Sequence, residues 1–332
     1  MRELQERMNV QGRTFWLPSK TPQTILPDHH QCQRSDRADP RGRKSFGEPR
    51  LMPHDPLLTR LTPVLAAVPG IQAVVLGGSR ARGTAHSSSD YDIGLYRSNA
   101  ARFDTDRLLT VVKNIADDPD AAIVTRINEW GSWIVGGAWL SIEGRKVDLL
   151  YRNVDDVERV MSACRYGTVL MTYQPGHPHG FCSAIWMGEI AYCQPLHDPN
   201  GVIARLKSIA LPYPEPLRST LIRRFQWEVL FSIENAELAA ARNERTHIAG
   251  CLYRSLACVA QVLFALNERY LINEKGALQE AAGLPLTIPH LVEQSDRIWQ
   301  LVADGGFAQA CAMLRQVDQQ LKMLTRPGGS AP

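Results

Sequence analysis

The chain has 332 residues, 44% of them apolar and 21% charged, with a formal net charge of +3. That is material for about two ordinary domains with a sizeable core, which excludes a wholly disordered chain. Residues 1–50 hold ten Lys/Arg and six Asp/Glu, a net +4, leaving −1 on the other 282 residues; so neutral a body argues against long nucleic acid as a partner.

No apolar run reaches the length of about 18 residues that a membrane span needs, so no membrane partner is expected. The N-terminus lacks the apolar core of a secretory signal. Seven cysteines, at 32, 164, 182, 193, 251, 258 and 311, are scattered with no Cys-x-x-Cys pair. An odd, dispersed set points to reduced thiols and a cytoplasmic location.

Residues 1–50 are polar, rich in Arg, Pro, Ser and Gln, and without helical or strand period. They read as a disordered extension, or as sequence upstream of the true start. The cluster His29-His30-Gln31-Cys32 lacks a second ligand pair at zinc-finger spacing, so a solvated tail is the expectation there. Folding proper begins at Asp55-Pro56, an N-cap followed by proline in the first helical position. Leu57, Leu58, Leu61, Leu65 and Val68 make one apolar stripe, with Pro63 as an expected kink.

A strand over 71–76 then runs into Gly77-Gly78-Ser79-Arg80, and a second strand over 91–96 follows Ser89-Asp90. Two glycines let the backbone turn tightly and approach a ligand. Ser79 is expected to cap a short helix whose free N–H groups suit a phosphate. Asp90 and Asp92 are two apart on a strand, so both carboxylates point to one face and suit a hard cation such as Mg²⁺. Asp104 predicts a helix through about 116, with Phe103, Leu108, Leu109, Val112 and Ile115 inward.

Residues 123–127 read as a strand. A hairpin follows: 138–142, the turn Glu143-Gly144, then 146–151. Its second strand carries a lone acid, Asp148, which a buried strand tolerates only if paired or metal-bound. Asn153 predicts a helix through 164. Residues 171–200 read as irregular, and His177 and His179 there either contact a second substrate or shape the loop. A short helix near 202–209 precedes Pro212, Pro214 and Pro216, read as a domain boundary. Beyond it the period is helical over 217–243, 246–271, 289–304 and 307–325, with a shorter helix near 277–282. Glu228 is read as a surface acid among inward aromatics Phe225, Trp227 and Phe231, or else as a buried base.

The stretch from Gly77 through Asp92 resembles the active-site signature of the DNA polymerase β-like nucleotidyltransferases, and is most like the small bacterial branch with the minimal and antibiotic enzymes. Asp148 matches that family's third carboxylate. The resemblance is strongest over 71–151. It implies an α+β protein: an α/β domain with a small mixed sheet over 51–210, a helical bundle over 211–326, and a tail at 327–332. It further implies Asp90, Asp92 and Asp148 as catalytic metal ligands for two Mg²⁺ ions. Gly77, Gly78, Ser79, Arg80 and Arg82 would hold the triphosphate, and Lys275 would reach it from the helical half. The reaction expected is transfer of a nucleoside monophosphate, AMP from ATP, to a hydroxyl of a small-molecule acceptor, with release of pyrophosphate. Transfer to a protein side chain or an RNA end, and a nucleotide-binding module without turnover, stand as alternatives. No acidic wall for a polycationic acceptor is visible, and a homo-oligomer is left open.

Overall fold

A computed structural model describes residues 55–100 and 102–326; the N-terminal extension, its His29–Cys32 cluster and the 327–332 tail lie outside the described residues. The described residues form one compact unit.

The first helix, α1 (Pro56–Ala66), starts where expected: the Asp55 carboxylate accepts from the N–H groups of Leu57 and Leu58. Leu57, Leu58, Leu61 and Leu65 are all buried. Their burial contributes about 6–12 kcal/mol gross, against about 3 kcal/mol for an internal proline, so Pro63 is tolerated. Strand β1 (Ile71–Leu76) is followed by the single-turn helix α2 (Gly78–Arg82) and by β2 (Tyr91–Arg97). Helix α3 (Thr105–Ile115) is capped by Asp104 and buries Leu108, Val111 and Val112, while Leu109 faces outward. The inward stripe is the expected one at Phe103, Leu108, Val112 and Ile115, with Val111 in place of Leu109, because 108, 111, 112 and 115 keep the helical period.

The expected strand over 123–127 shrinks to β3 (Ile123–Val124), at the edge of the sheet with Ile123 54% exposed. Strands β4 (Gly137–Ile142) and β5 (Arg145–Asn153) form the hairpin. Glu143 and Gly144 both take positive φ, at 53° and 69°, the geometry of a tight turn that matches strand twist. Asn153 then caps α4 (Val154–Arg165) by accepting from the N–H groups of Asp155 and Asp156.

The segment read as irregular contains real structure. It holds the small ladder β6 (Met171–Thr172) and β7 (Phe181–Cys182), helix α5 (Ile185–Tyr192) and strand β8 (Gln194–His197). Helix α5 shows no amphipathic period because it is buried almost all round. Helix α6 (Val202–Ala210) follows, then α7 (Glu215–Ala240), α8 (Arg245–Leu266), α9 (Ala277–Ala282), α10 (Leu291–Ala303) and α11 (Phe307–Thr325).

The sheet order is β3-β4-β5-β2-β1-β8, with β2 and β5 parallel and every other pair antiparallel. The fold is α+β, with a mixed sheet followed by helices. One sheet face packs on α1 and α3. The other, through Ala73, Val75 and Tyr96, joins an apolar core that runs on through α4–α11. Helix α8 is long and apolar enough to cross a membrane, with mean hydropathy 1.6, yet 67% of that window is buried. It is the central strut of the helical half, packed on α7, α9 and α11.

Candidate active site

The site grows from one cross-strand row. Asp92 on β2 is the register partner of Asp148 on β5, and Asp148 is the partner of Trp139 on β4. On the other side of Asp92, the Gly77 N–H donates to the Asp92 carbonyl at 2.7 Å. Asp92, Asp148 and Trp139 thus lie abreast on three neighbouring strands, with Gly77 beside them just past the end of β1. Residues in register across a ladder share a face. The next residue of Asp92's face is Gly94, opposite Val75, and the one after is Tyr96, opposite Ala73. Both Val75 and Tyr96 belong to the core shared with the helical half. The two acids therefore look toward the helices and not toward α1 and α3.

Gly78 makes the turn possible. Its φ is +61°, and a Cβ there would overlap the Asp92 Oδ2 atom. Gly77 occupies the N-cap position of α2, so Ser79 does not cap the helix as expected but lies within its first turn. The reason is the abrupt exit from β1: the left-handed glycine starts the helix two residues early. The Ser79 carbonyl accepts from Thr84 N–H at 3.0 Å, which closes the turn.

Asp90 is exposed, at the end of the loop entering β2. Arg80 holds that loop: its Nε donates to the Asp90 carbonyl at 3.2 Å and its Nη2 to the Ser89 carbonyl at 2.6 Å. Its guanidinium also lies 3.8 Å from the centre of the Tyr91 ring. Arg82 pairs with Glu280 of α9 at 3.1 Å, tying α2 to the helical half. Gln194 adds a second tie by donating to the Ala81 carbonyl at 2.8 Å.

Electrostatics mark the row. Burial, then the charges of Asp148, Asp90 and Glu189, push the Asp92 carboxyl up to about 6, with Lys275 opposing. Burial and Asp90 also raise Asp148, opposed by Lys146 and Lys275. Two carboxylates on adjacent strands cannot both ionise freely without a counter-charge. Lys275 is exposed, in the segment between α8 and α9, and its cation acts on both acids.

Its neighbour Glu274 anchors that segment. Glu274 contacts His177 Nδ1 at 3.2 Å and accepts from the His179 backbone N–H at 3.3 Å. Burial opposes ionisation of Glu274, but the His177 hydrogen bond prevails and holds its carboxyl below the usual range. His177 and His179 therefore brace the β6–β7 loop against the Lys275 segment. His179 is 3% exposed, and burial, then Arg254, bring its imidazole down to about 4. His86 is exposed.

Behind the acids lies a pair that the sequence did not reveal. Arg152, on the same face of β5 as Asp148, is 3% exposed and makes a two-pronged pair with Glu189 of α5, at 2.9 and 2.7 Å. A lone acid in the apolar run Ile185–Tyr192 was the available signal. Of the two readings of Glu228 the buried one holds: it is 8% exposed, and of the aromatics Phe225 is inward while Trp227 and Phe231 are 63% and 50% exposed. Arg254 and Arg224 hold it, at 2.6 and 3.4 Å, which resolves the cost of burying its charge.

Among the described residues, no three His, Cys, Asp or Glu side chains assemble a metal cage. Mg²⁺ seldom needs one: it takes one or two carboxylates and keeps water or substrate phosphate for the rest. A pair of mutually repelling carboxylates beside an exposed third fits that donor pattern.

No curated protein matches the sequence. Among solved structures, a nucleotidyltransferase-like protein from Exiguobacterium sibiricum 255-15 is 13% identical over 81% of this chain and 75% of that one, with a TM-score of 0.40. The family described as polymerase beta, nucleotidyltransferase, matches residues 59–129, a span holding Gly77–Arg82, Asp90 and Asp92 and ending before Asp148. The chain thus carries, in that span, a nucleotidyltransferase domain of the polymerase beta superfamily.

Proposed function

We propose that this protein transfers AMP from ATP to a hydroxyl of a small-molecule acceptor. The observation that carries the reading is the register of Asp92 with Asp148, directly beside the turn headed by Gly77 and Gly78. Asp92, Asp148 and Asp90 would hold Mg²⁺, which supplies charge neutralisation for the triphosphate and the transition state. Gly77, Gly78 and Ser79 offer backbone donors to the β- and γ-phosphates, and Lys275 adds a cation from the segment between α8 and α9. Arg80 supports this site by fixing the Asp90 loop, and Arg82 by fixing α2 to α9.

In the transfer, the acceptor oxygen bonds to the α-phosphorus and the bond from that phosphorus to the bridging oxygen breaks. Pyrophosphate departs on the Ser79 side. Asp148, on the side away from Ser79, takes the hydroxyl proton. The six described cysteines are unpaired, which supports a reducing, cytoplasmic setting. The test is a crystal structure with a non-hydrolysable ATP analogue and Mg²⁺. Density for phosphates at Ser79 and for the ion between Asp92 and Asp148 is expected; a nucleotide bound elsewhere would overturn the reading.

A further inference from the structure

The geometry points to Trp139 and Trp130 as the platform on which the acceptor sits, with an acceptor that is a neutral or anionic ring compound bearing a hydroxyl. This inference rests on the nucleotidyl-transfer reading and adds a location and a chemistry to it.

Location follows from the row. Reading across the sheet, the turn at Gly77 comes first, then Asp92, then Asp148, then Trp139. Neighbouring strands lie about 4.8 Å apart, so the row spans roughly 14 Å. Displacement at phosphorus places attacking and leaving oxygens roughly in line. With pyrophosphate leaving toward Ser79, the attacking hydroxyl comes from beyond Asp148, which is where Trp139 stands. The new bond joins that oxygen to the α-phosphorus, the bond to pyrophosphate breaks, and the hydroxyl proton goes to Asp148.

Chemistry follows from the side chains there. Trp139 is half-buried, and Trp130 meets it edge-on at 4.5 Å between ring centres while remaining 39% exposed. Indole surfaces kept open beside an acid suit a ring that stacks by its apolar face. Two residues before Asp148, and so on the same face, is the exposed Lys146, opposite Ser141. Its positive charge acts on Asp148. The nearby acid Glu129 is occupied in part, accepting from the Arg126 N–H at 2.8 Å. The Lys146 cation beside Asp148 disfavours a polycationic acceptor and favours a neutral or anionic one.

The test uses the full chain and three defined probes: phenyl β-D-glucopyranoside, phenyl β-D-glucuronide and the polycation neamine. Saturation-transfer NMR reads binding without turnover. The two phenyl glycosides are expected to receive saturation in the wild type, with affinity falling about tenfold in Trp139→Ala. Trp139→Phe should restore most of it, as a merely structural tryptophan would not require. Trp130→Ala, at an exposed position, carries the same prediction should Trp139→Ala fail to fold. Unchanged affinity in the variants, binding of neamine alone, or no saturation of either phenyl glycoside would overturn the platform. ATP binding, titrated separately, should be unaltered in every variant. Failure of the wild type to bind ATP would count against nucleotidyl transfer itself, whatever the glycosides do.

Discussion

Asp92 and Asp148 face each other in register across the parallel pair β2 and β5, and burial with the Asp148 charge raises the Asp92 carboxyl. Raised carboxyl pKa values set the sign of the pH dependence. Asp92 has its folded value near 6 against an ordinary 3.8, so the folded state favours the protonated form. The associated stability is fully present below about pH 4 and is lost as pH rises through 6. Asp92→Asn should therefore stabilise the protein by about 1–3 kcal/mol at pH 8 and leave it unchanged near pH 4, while abolishing transfer. Thermal unfolding at the two pH values decides it; equal shifts at both would contradict the account. Mg²⁺ should raise the wild-type midpoint at pH 8 more than at pH 5, since it competes with the proton.

Gly78 is fixed by both its backbone and its neighbour. At φ +61° an alanine is strained, and its methyl group collides with the Asp92 carboxylate. Gly78→Ala should cost about 1–3 kcal/mol and weaken ATP binding more than tenfold. Gly83→Ala is the control: it too has positive φ, at 71°, but a Cβ there meets nothing within 4 Å. Isothermal titration with ATP and Mg²⁺ should find Gly83→Ala close to wild type, and parity between the two variants would refute the steric argument.

Lys275 depends on Glu274 for its position. Lys275→Ala should raise the KM for ATP with kcat nearly retained, the pattern of lost ground-state binding. Glu274→Gln, which loosens the contact to His177, should produce a smaller change in the same direction. If Glu274→Gln instead lowers kcat at unchanged KM, the bracing role is wrong and the carboxylate itself takes part.

The buried Arg152–Glu189 pair makes a different prediction. Glu189→Gln leaves the 3% exposed Arg152 without its counter-charge and should destabilise by about 3–5 kcal/mol. Replacing both partners together, Arg152→Met with Glu189→Leu, should recover most of that loss. A double variant as unstable as Glu189→Gln would show the pair to be worth more than its desolvation.

Much of this was readable in the sequence where the local signal is chemical. Asp55, Asp104 and Asn153 each cap the helix they precede, and Glu143-Gly144 turns the hairpin that brings Asp148 to the sheet. Asp148 was visible because a lone acid between Val147 and Leu149 demands a partner. Helix α5 escaped notice because burial all round erases its period, and with it went Glu189. Trp139 escaped because its meaning lies in register with Asp148 across a hairpin, which no spacing along the chain encodes. Glu228 stayed ambiguous along the chain because Arg254, which neutralises it at 2.6 Å, is 26 residues away on the next helix.

The central claim is that the α-phosphoryl group moves and that the paired acids are responsible. Parallel incubations of the protein and Mg²⁺ with ATP labelled at the α- or the γ-phosphate, in a small-molecule fraction of cell extract, address it directly. The account predicts that only the α-label reaches an acceptor, that pyrophosphate appears in equal amount, and that Asp148→Asn loses transfer by several orders of magnitude. Transfer of the γ-label, or undiminished transfer by Asp148→Asn, would contradict it.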